Sequence, residues 1–422
     1  MAEGGFLALG REAERMIREL ARISAEEGRL VRLYLTPEHR RAADLVGRWM
    51  GEAGLEVGED ALGTVKGRLQ PAAGGRNAAK RLLIGSHIDT VIDAGAYDGT
   101  LGVIAGVLAV REIVRRHGRM PFGIDVLAFG DEEGSRFPVT LLSSGAIAGR
   151  FDPAALNVES VDGIRLEDAL RRYGKDPAEI GKAAYDPEEA AAYVEVHIEQ
   201  GPVLEQAGEA LGVVTAIAGQ SRHTVTVVGE AGHAGTVPMA LRHDALAAAA
   251  EITLALERLA RRHVDDFMVG TVGRISVAPG ASNVIPARAV FSVDLRSQTD
   301  AKRLDALASL RGEIEAIANR RGVTVRVERT HEMPATPCDP TLQAGFAAAV
   351  AGQGGEAILL SSGAGHDGQA VGALCPIAML FVRCRQGVSH NPAEFTSIGD
   401  MGRAIAALIE FIENFDRSFL AR

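Results

Sequence analysis

Residues 81–106, RLLIGSHIDTVIDAGAYDGTLGVIAG, decide the fold, because they join a buried strand, a polar loop and a helix. The opening apolar run has the length and residue types of a buried strand. His87 and Asp89 follow at its end, and a glycine-punctuated loop presents Asp98 before an apolar, helix-compatible segment. In α/β proteins, polar side chains between a buried strand and a helix mark the usual position of a site. The stretch therefore predicts an α/β domain with a site at the carboxyl end of this strand.

The size and composition of the chain indicate a globular protein of more than one domain. It has 422 residues, of which 47% are hydrophobic and 24% charged, and a single core rarely grows to this length. The net charge of −10 and the lack of a sustained basic run argue against a nucleic-acid partner. No apolar stretch is long enough to span a bilayer. The first twenty residues lack a signal-peptide pattern and the three cysteines form no zinc or disulfide pattern, so we expect a cytoplasmic protein.

Two further apolar strands end, like the first, in side chains that bind metals. Residues 122–130 precede Glu132 and Glu133, and residues 193–198 contain His197. The intervening residues 167–192 are charged and are predicted to be helical. Parallel strands of this kind bring their carboxyl ends to one edge of a sheet.

The pattern changes after about residue 212 to amphipathic strands and helices in the order β-α-β-β-α-β, which is typical of a ferredoxin-like domain. We therefore expect residues 1–213 and 331–422 to form one α/β domain with helices around a mixed sheet. Residues 214–330 are expected to form a smaller α+β domain inserted into it.

The strand-end residues have the chemistry of a two-metal site. Imidazole and carboxylate groups without thiolates suit Zn, Mn, Co or Ni. Two metals roughly 3.5 to 4 Å apart need a bridging carboxylate, and Asp98, on its glycine-flanked loop, has a suitable position. Asp89, two residues after His87, can orient that ring by a hydrogen bond. Neighbouring Glu132 and Glu133 point to opposite sides if the backbone is extended, so one can bind metal while the other acts as a base.

Six motifs extend this pattern through the chain: GSHIDTVIDAGAYDG, DEEGSRFPVTLLSS, HIEQGPVLE, GHAGTVPM, SGAGHDG and SHNPAEF. In this order they resemble the M20 metallopeptidase clan, and EEGSRF and HIEQG narrow the resemblance to its amidase/hydantoinase/carbamoylase branch. The resemblance implies a homodimer with two divalent metal ions per subunit. It also implies an aminopeptidase-like catalytic domain and an inserted dimerisation or lid domain.

The resemblance also assigns a role to individual residues of this chain. His87 and His197 would bind one metal, Glu133 and His390 the other, and Asp98 both. Glu132 would be the general base, Asp89 a supporting carboxylate, and His233 a group that reaches a neighbouring active site and stabilises the oxyanion. The substrate would be contacted by residues of both domains: Gln200, Arg222, His233, Asn283, Arg296 and Gly365. Among these, Arg296 would clamp a carboxylate with its planar guanidinium.

The expected activity is hydrolysis of the ureido C–N bond of an N-carbamoyl-L-amino acid to the amino acid, CO2 and ammonia. Allantoate, a ureido-substituted carboxylate of purine catabolism, is the alternative substrate, followed by β-ureidopropionate. A peptidase activity is disfavoured by EEGSRF and HIEQG. An alternative of a different kind is that the chain is a non-catalytic, metal-binding relative of these enzymes. Such a protein has no need of a base at Glu132. The expected partner is thus a small ureido carboxylate, with neither nucleic acid nor membrane involved.

Overall fold

The computed structural model describes residues 3–420, and the chain divides into two compact units. The first unit comprises the chain up to Thr215, Cys338–Leu360, and the chain from Ala364 onward. The second comprises Ala216–Pro337 and Ser361–Gly363. Mixed α/β architecture with an α+β insertion is the fold class that the sequence predicts, and the structure confirms it.

The strands are numbered in chain order. Their bounds are β1 Glu56–Glu59, β2 Val65–Leu69, β3 Arg81–His87, β4 Gly123–Phe129, β5 Ala190–Ile198, β6 Leu211–Ile217, β7 Gly219–Val228, β8 Gly232–His233, β9 Val269–Thr271, β10 Ile275–Ala278, β11 Val284–Ile285, β12 Arg288–Ser297, β13 Thr324–Met333, β14 Thr336–Pro337, β15 Ile358–Ser362 and β16 Ile377–Val382.

The α-helices are numbered in the same way. Their bounds are α1 Glu3–Ala21, α2 Pro37–Glu52, α3 Thr100–His117, α4 Leu142–Ile147, α5 Leu166–Arg172, α6 Val203–Ala207, α7 Ala245–Arg262, α8 Asp300–Arg321, α9 Pro340–Gly352, α10 Asp367–Val371 and α11 Ile398–Phe415. Within residues 3–420, no helix has both the length and the apolar character needed to cross a bilayer.

The sheet of the first unit brings four strand ends to one edge. Its order is β1-β2-β4-β3-β5-β16-β6, and β4, β3, β5 and β16 are mutually parallel. Every residue of β3, β4 and β16 is buried, which is typical of parallel strands covered on both faces. His87 pairs with Phe129 at the ends of β3 and β4, and His197 pairs with Phe381 near the ends of β5 and β16. The residues that follow these positions therefore lie along one edge.

Helix α3 begins directly after the loop that carries Asp98 and fixes the position of that loop. It packs against β3, β5, α1 and α11, and most of its residues from Thr100 to Val110 are buried. A helix that is apolar on all sides is stable only inside a core. The core of the first unit thus anchors the loop from its carboxyl end.

The predicted helix over residues 167–192 is wrong. Helix α5 ends at Arg172, Gly174 adopts a left-handed φ of 85°, a 3-10 turn covers Pro177–Ala183, and β5 begins at Ala190. Pro177 fits the first residue of a new turn but cannot continue a helix, and glycine readily adopts positive φ. Gly174 and Pro177 therefore end the helix, although the charge pattern around them is helical.

The second unit contains an antiparallel sheet in the order β10-β12-β7-β13, with β9 also pairing with β12. Its buried core combines strand residues such as Val225 and Phe291 with Leu256 of α7 and Leu310 of α8. The alternate residues of β7 and β12 are more exposed and mostly polar, as expected for an antiparallel sheet with one covered face.

Candidate metal centre and active site

Four side chains of the first unit lie around the Asp98 carboxylate. His197 Nε2 lies 3.2 Å and His87 Nε2 3.8 Å from Asp98 Oδ1. His390 Nε2 lies 3.2 Å from the other oxygen, Asp98 Oδ2, and 3.6 Å from Glu133 Oε2. The ligand atoms thus form two groups that share Asp98, one with His87 and His197 and the other with Glu133 and His390.

The chemistry of these atoms fits two cations. Asp98 Oδ1 and His197 Nε2 are buried and have no hydrogen-bond partner among the described residues, and an unpaired buried polar atom is costly. The ring nitrogens on the other side are engaged: His87 Nδ1 lies 3.2 Å from the Asp89 carbonyl oxygen and His197 Nδ1 2.9 Å from the Ile198 carbonyl oxygen. An Nδ1–H that donates to a carbonyl leaves the Nε2 lone pair free to bind a metal.

Asp89 connects β3 to the loop after β4. Its Oδ1 accepts a hydrogen bond from the Glu132 N–H and its Oδ2 one from the Glu133 N–H, each at 3.2 Å. The same Oδ1 lies 3.4 Å from His87 Nδ1. One buried carboxylate therefore positions the backbone of both glutamates as well as the ring of His87. The role predicted from the sequence covered only the ring.

The pKa shifts within the cluster follow from burial and neighbouring charges. Burial raises the pKa of Glu132 well above its usual range, with His87 opposing and Glu133 adding to the shift. Burial and the charge of Asp98 raise the pKa of Glu133 to about 7. Burial disfavours the Asp98 carboxylate too, but the facing rings of His197 and His390 hold its pKa well below the usual range. The two glutamates therefore favour protonation unless positive charge is placed beside them.

Two non-glycine residues of this site have a left-handed backbone. Gln200 and His390 have φ values of 55° and 53°, which non-glycine residues adopt at a cost and which cluster at functional sites. Gly99, next to Asp98, has a φ of 60°, and a Cβ built on it would lie 2.4 Å from His87 Nε2. Only glycine combines this backbone with so close an approach to the ring.

Gln200 and Gly365 also lie beside the cluster. The Gln200 Nε2 group donates to Asp98 Oδ2 at 3.0 Å, while its Oε1 is buried and without a partner among the described residues. A Cβ built on Gly365 would lie 3.6 Å from Glu132 Oε1, so its backbone is adjacent to that carboxyl. The structure thus brings both residues to the site, and the amide of Gln200 contacts a ligand rather than open space.

The other four predicted site residues belong to the second unit and form two pairs there. His233 in β8 is paired with Val284 in β11, and the Ala234 N–H donates to the Asn283 carbonyl oxygen. The Gly235 N–H donates to His233 Nδ1 at 3.0 Å, so the neutral ring carries its proton on Nε2. That ring is exposed and presents an N–H donor.

Arg222 and Arg296 share the carboxylate of Asp294. Arg296 donates two hydrogen bonds of 2.9 Å to Asp294, and Arg222 Nε donates one of 3.0 Å. Arg296 Nη1 also donates to the Gly363 carbonyl oxygen at 2.6 Å. Burial disfavours the Asp294 carboxylate, but Arg296 and Arg222 lower its pKa. The three side chains line a cavity of about 660 Å³ and together carry one net positive charge.

Sequence reasoning missed two supporting residues in the first unit. Arg32 is 1% exposed and donates to the carbonyl oxygens of Ile88, Leu20 and Ile23. Glu394 is 4% exposed and accepts from the N–H groups of Tyr97 and Asp98. Glu394 stands in the SHNPAEF motif, so the motif was the available signal, whereas Arg32 carries no motif.

Comparison with known proteins places these features in a family. The model of peptidase family M20/M25/M40 matches residues 83–414. The chain is 41% identical to allantoate deiminase from Arabidopsis thaliana, over 96% of this chain and 82% of the relative. It is 43% identical to N-carbamoyl-L-amino acid amidohydrolase from Geobacillus stearothermophilus, over 88% of this chain and 90% of the relative. A solved amidase of the hydantoinase/carbamoylase family from Burkholderia multivorans superimposes with a TM-score of 0.88 at 33% identity, covering 96% and 97% of the two chains.

Proposed function

Because the chain belongs to the M20/M25/M40 peptidase family, we propose that it is a metal-dependent amidohydrolase acting on N-carbamoyl-L-amino acids. The reaction cleaves the ureido C–N bonds: one substrate and one water give the amino acid, CO2 and ammonia. The single observation that carries the proposal is the pair of ligand groups sharing Asp98, with Glu132 beside them. The similarity to the N-carbamoyl-L-amino acid amidohydrolase from Geobacillus stearothermophilus supports the choice of substrate.

The proposed ligands are His87, Asp98 and His197 for one cation, and Asp98, Glu133 and His390 for the other. Imidazole and carboxylate ligands suit Zn, Mn, Co or Ni. Bound cations of this kind supply Lewis acidity, which makes water easier to deprotonate and a carbonyl easier to attack.

Glu132 is the proposed general base. It lies next to the Glu133 ligand, and its pKa is raised well above the usual range by burial. Positive charge from the bound cations would keep this carboxyl ionised, and the carboxylate then accepts a proton from the attacking water and returns it to the departing nitrogen. Asp89 holds the backbone of Glu132 in place through its Oδ1.

The proposed substrate contacts are hydrogen bonds matched to a ureido carboxylate. His233 offers its Nε2–H to the oxygen on which negative charge develops, a stabilisation of about 3 kcal/mol. Arg296 uses Nε, one N–H of Nη1 and one of Nη2 on protein oxygens, so one N–H on each terminal nitrogen remains for the substrate carboxylate. Gln200 Oε1 and the carbonyl oxygen of the Gly365 backbone are the proposed acceptors for the ureido N–H groups. Arg222 and Asn283 are the remaining proposed substrate contacts.

Allantoate is the second candidate substrate, supported by the 41% identity to the Arabidopsis thaliana allantoate deiminase over 96% of this chain. Allantoate carries two ureido groups on the carbon that bears its carboxylate. It therefore presents the same two functional groups to Arg296 and to the cations. The two substrates differ in what occupies the position of the amino-acid side chain.

The same proposal includes the state of the native protein. We expect a cytoplasmic homodimer with two divalent cations per subunit and with His233 acting in a neighbouring active site. Light scattering coupled to size-exclusion chromatography measures the oligomeric state, and a monomer at micromolar concentration would contradict the expectation.

The decisive experiment is a substrate panel. Ammonia release is measured from N-carbamoyl-L-amino acids, their D-enantiomers, allantoate and β-ureidopropionate, and amino-acid release from a dipeptide, with Mn, Zn, Co and Ni each supplied to the metal-free protein. A kcat/KM that is higher for N-carbamoyl-L-amino acids than for every other compound in the panel supports the proposal. Preference for allantoate moves the assignment to the second candidate, and failure to hydrolyse any ureido compound refutes both.

A further inference from the structure

A closed set of hydrogen bonds surrounds the shared aspartate on the side away from His87 and His197. Glu394 Oε1 accepts from the N–H groups of Tyr97 at 2.8 Å and Asp98 at 3.1 Å. Its second oxygen, Oε2, accepts from the Ser389 hydroxyl at 2.8 Å. Gln200 Nε2 lies 3.1 Å from the Ser389 oxygen and 3.0 Å from Asp98 Oδ2.

The hydrogen-bond distances indicate which acceptor receives the Ser389 hydroxyl proton and which receive the two Gln200 Nε2 protons. A hydroxyl has one proton, and the shortest acceptor contact of Ser389 is the 2.8 Å contact with Glu394, against 3.2 Å to Asp98. The two protons of Gln200 Nε2 then go to Ser389 and to Asp98. The backbone and the carboxylate of Asp98 are thereby tied to the same anchor, Glu394.

Packing confirms that Glu394 is held in one place. The side chain is 4% exposed, and a Cβ built on Gly95 would lie 2.2 Å from its Cδ atom. The anchored residues Gln200 and His390 both have left-handed backbones, which persist only when the surroundings fix them. Ser389 immediately precedes His390, so the set joins the Asp98 loop to the His390 loop.

We propose that Glu394 is a positioning residue, which fixes the distance between Asp98 and His390 and so sets the affinity of the cation position that these residues share with Glu133. This inference rests on the proposed two-cation centre. The position formed with His87 and His197 depends less on Glu394, because those two ligands extend from strands β3 and β5. Removing hydrogen bonds to metal ligands typically costs 10- to 100-fold in metal affinity.

The test is calorimetric titration of the metal-free full-length protein with Zn²⁺, and separately with Mn²⁺. We expect Glu394→Gln to weaken one of the two binding steps by about 10- to 100-fold and to leave the other within about threefold. Gly95→Ala should produce the same selective loss, because its methyl group displaces Glu394 without removing it, and its backbone φ is not in the left-handed region. Ser389→Ala should give a smaller loss in the same step.

The matched control is Glu199→Gln. Glu199 is 8% exposed and also accepts from two backbone N–H groups, those of Val203 and Leu204, but its carboxylate makes no hydrogen bond to Asp98 or Ser389. It should bind both cations like the unmodified protein. A Co²⁺ absorption spectrum, which reports ligand geometry, should change in Glu394→Gln and stay unchanged in the control.

Unchanged affinity at both steps in Glu394→Gln and Gly95→Ala would overturn the inference, as would an equal loss at both steps. Failure here is distinguishable from failure of the proposed function, because metal binding is measured without substrate. An unmodified protein that binds two cations but hydrolyses no ureido compound refutes the function and leaves the positioning role standing.

Discussion

The two oxygens of Asp98 face different ligands, and this division underlies the account at the scale of single residues. Oδ1 faces His87 and His197, and Oδ2 faces His390. Glu132 and Glu133 are adjacent in sequence yet have different proposed roles, because Glu133 Oε2 lies near His390 and Glu132 lies near Gly365. The proposed difference between a ligand and a base therefore rests on small differences in the direction of the two side chains.

Replacing Glu132 by Gln should lower kcat by a factor of about 10² to 10⁴, the range typical of a lost general base. The substitution keeps the shape of the side chain but removes the proton acceptor. Metal content, measured by mass spectrometry of the dialysed protein, should remain at two per chain. Activity close to that of the unmodified enzyme would exclude Glu132 as the base.

Replacing Arg296 by Lys should raise KM by about 10- to 100-fold, since a lost charge-assisted hydrogen bond costs about 1.5 to 3 kcal/mol. Lysine keeps the charge but cannot form the paired hydrogen bonds of a guanidinium. Arg222→Lys is the control, because Arg222 makes a single bond to Asp294 and should change KM less. Equal effects of the two variants in steady-state kinetics would contradict the assigned clamp.

Sequence reasoning reached the residues that carry chemistry more readily than those that support them. His87, Asp98 and His197 stand out because polar ligand types follow apolar strands. Arg32 does not stand out, because its role arises from the carbonyl groups of Leu20 in α1 and of Ile88, just after β3, which only the fold brings together. The roles of the predicted site residues stay predictions until they are measured.

At the scale of elements, the parallel arrangement of β4, β3, β5 and β16 brings the ligands to one edge. Apolar runs in the sequence predict β3, β4 and β5, since buried parallel strands need no alternation. The charge pattern over residues 167–192 is helical, but Gly174 and Pro177 interrupt the helix. The strand pairing of β16 with β5 could not be inferred, because it joins residues almost two hundred positions apart.

Arg32 connects the end of α1 to the end of β3, and its replacement by Met should destabilise the protein by about 3 kcal/mol or more. Methionine fills similar space but leaves the carbonyl oxygens of Ile23 and Ile88 without the donors that Arg32 supplies, at about 1 to 3 kcal/mol each. The free energy of unfolding is measured by urea denaturation. The exposed neighbour Arg22 provides the control, and Arg22→Met should change stability by less than about 0.5 kcal/mol. Similar values for the two variants would contradict the role of Arg32.

At the scale of the whole molecule, the chain leaves the first unit after Thr215 and returns at Cys338. The change of hydrophobic periodicity reveals such an insertion, because antiparallel strands with one covered face alternate and buried parallel strands do not. Residues Ser361–Gly363 also belong to the second unit. The sequence does not predict this, because three residues are too few to show a periodicity.

Stability should fall with acid pH because of a buried histidine in the first unit. Burial lowers the pKa of His39 from 6.5 to about 3, so between these values the unfolded chain binds a proton that the folded chain does not. Folding stability therefore rises with pH across this window and is lost as pH falls below 6.5. At pH 5 the loss is about 2 kcal/mol, at 1.36 kcal/mol per pH unit.

This loss is measured by comparing urea unfolding of the unmodified protein and His39→Gln at pH 7.5 and pH 5. Glutamine has no titratable group, so the variant should lose about 2 kcal/mol less between the two pH values. Equal losses for the two proteins would show that His39 does not contribute to the acid sensitivity.

The most direct test of the central claim is the number of divalent cations bound per chain with and without Asp98. The metal-free protein is titrated with Zn²⁺ by calorimetry, and bound metal is counted by mass spectrometry after dialysis. The account predicts two cations per chain for the unmodified protein and at most one, bound more weakly, for Asp98→Ala. A stoichiometry of one or none in the unmodified protein, or of two in Asp98→Ala, would contradict it.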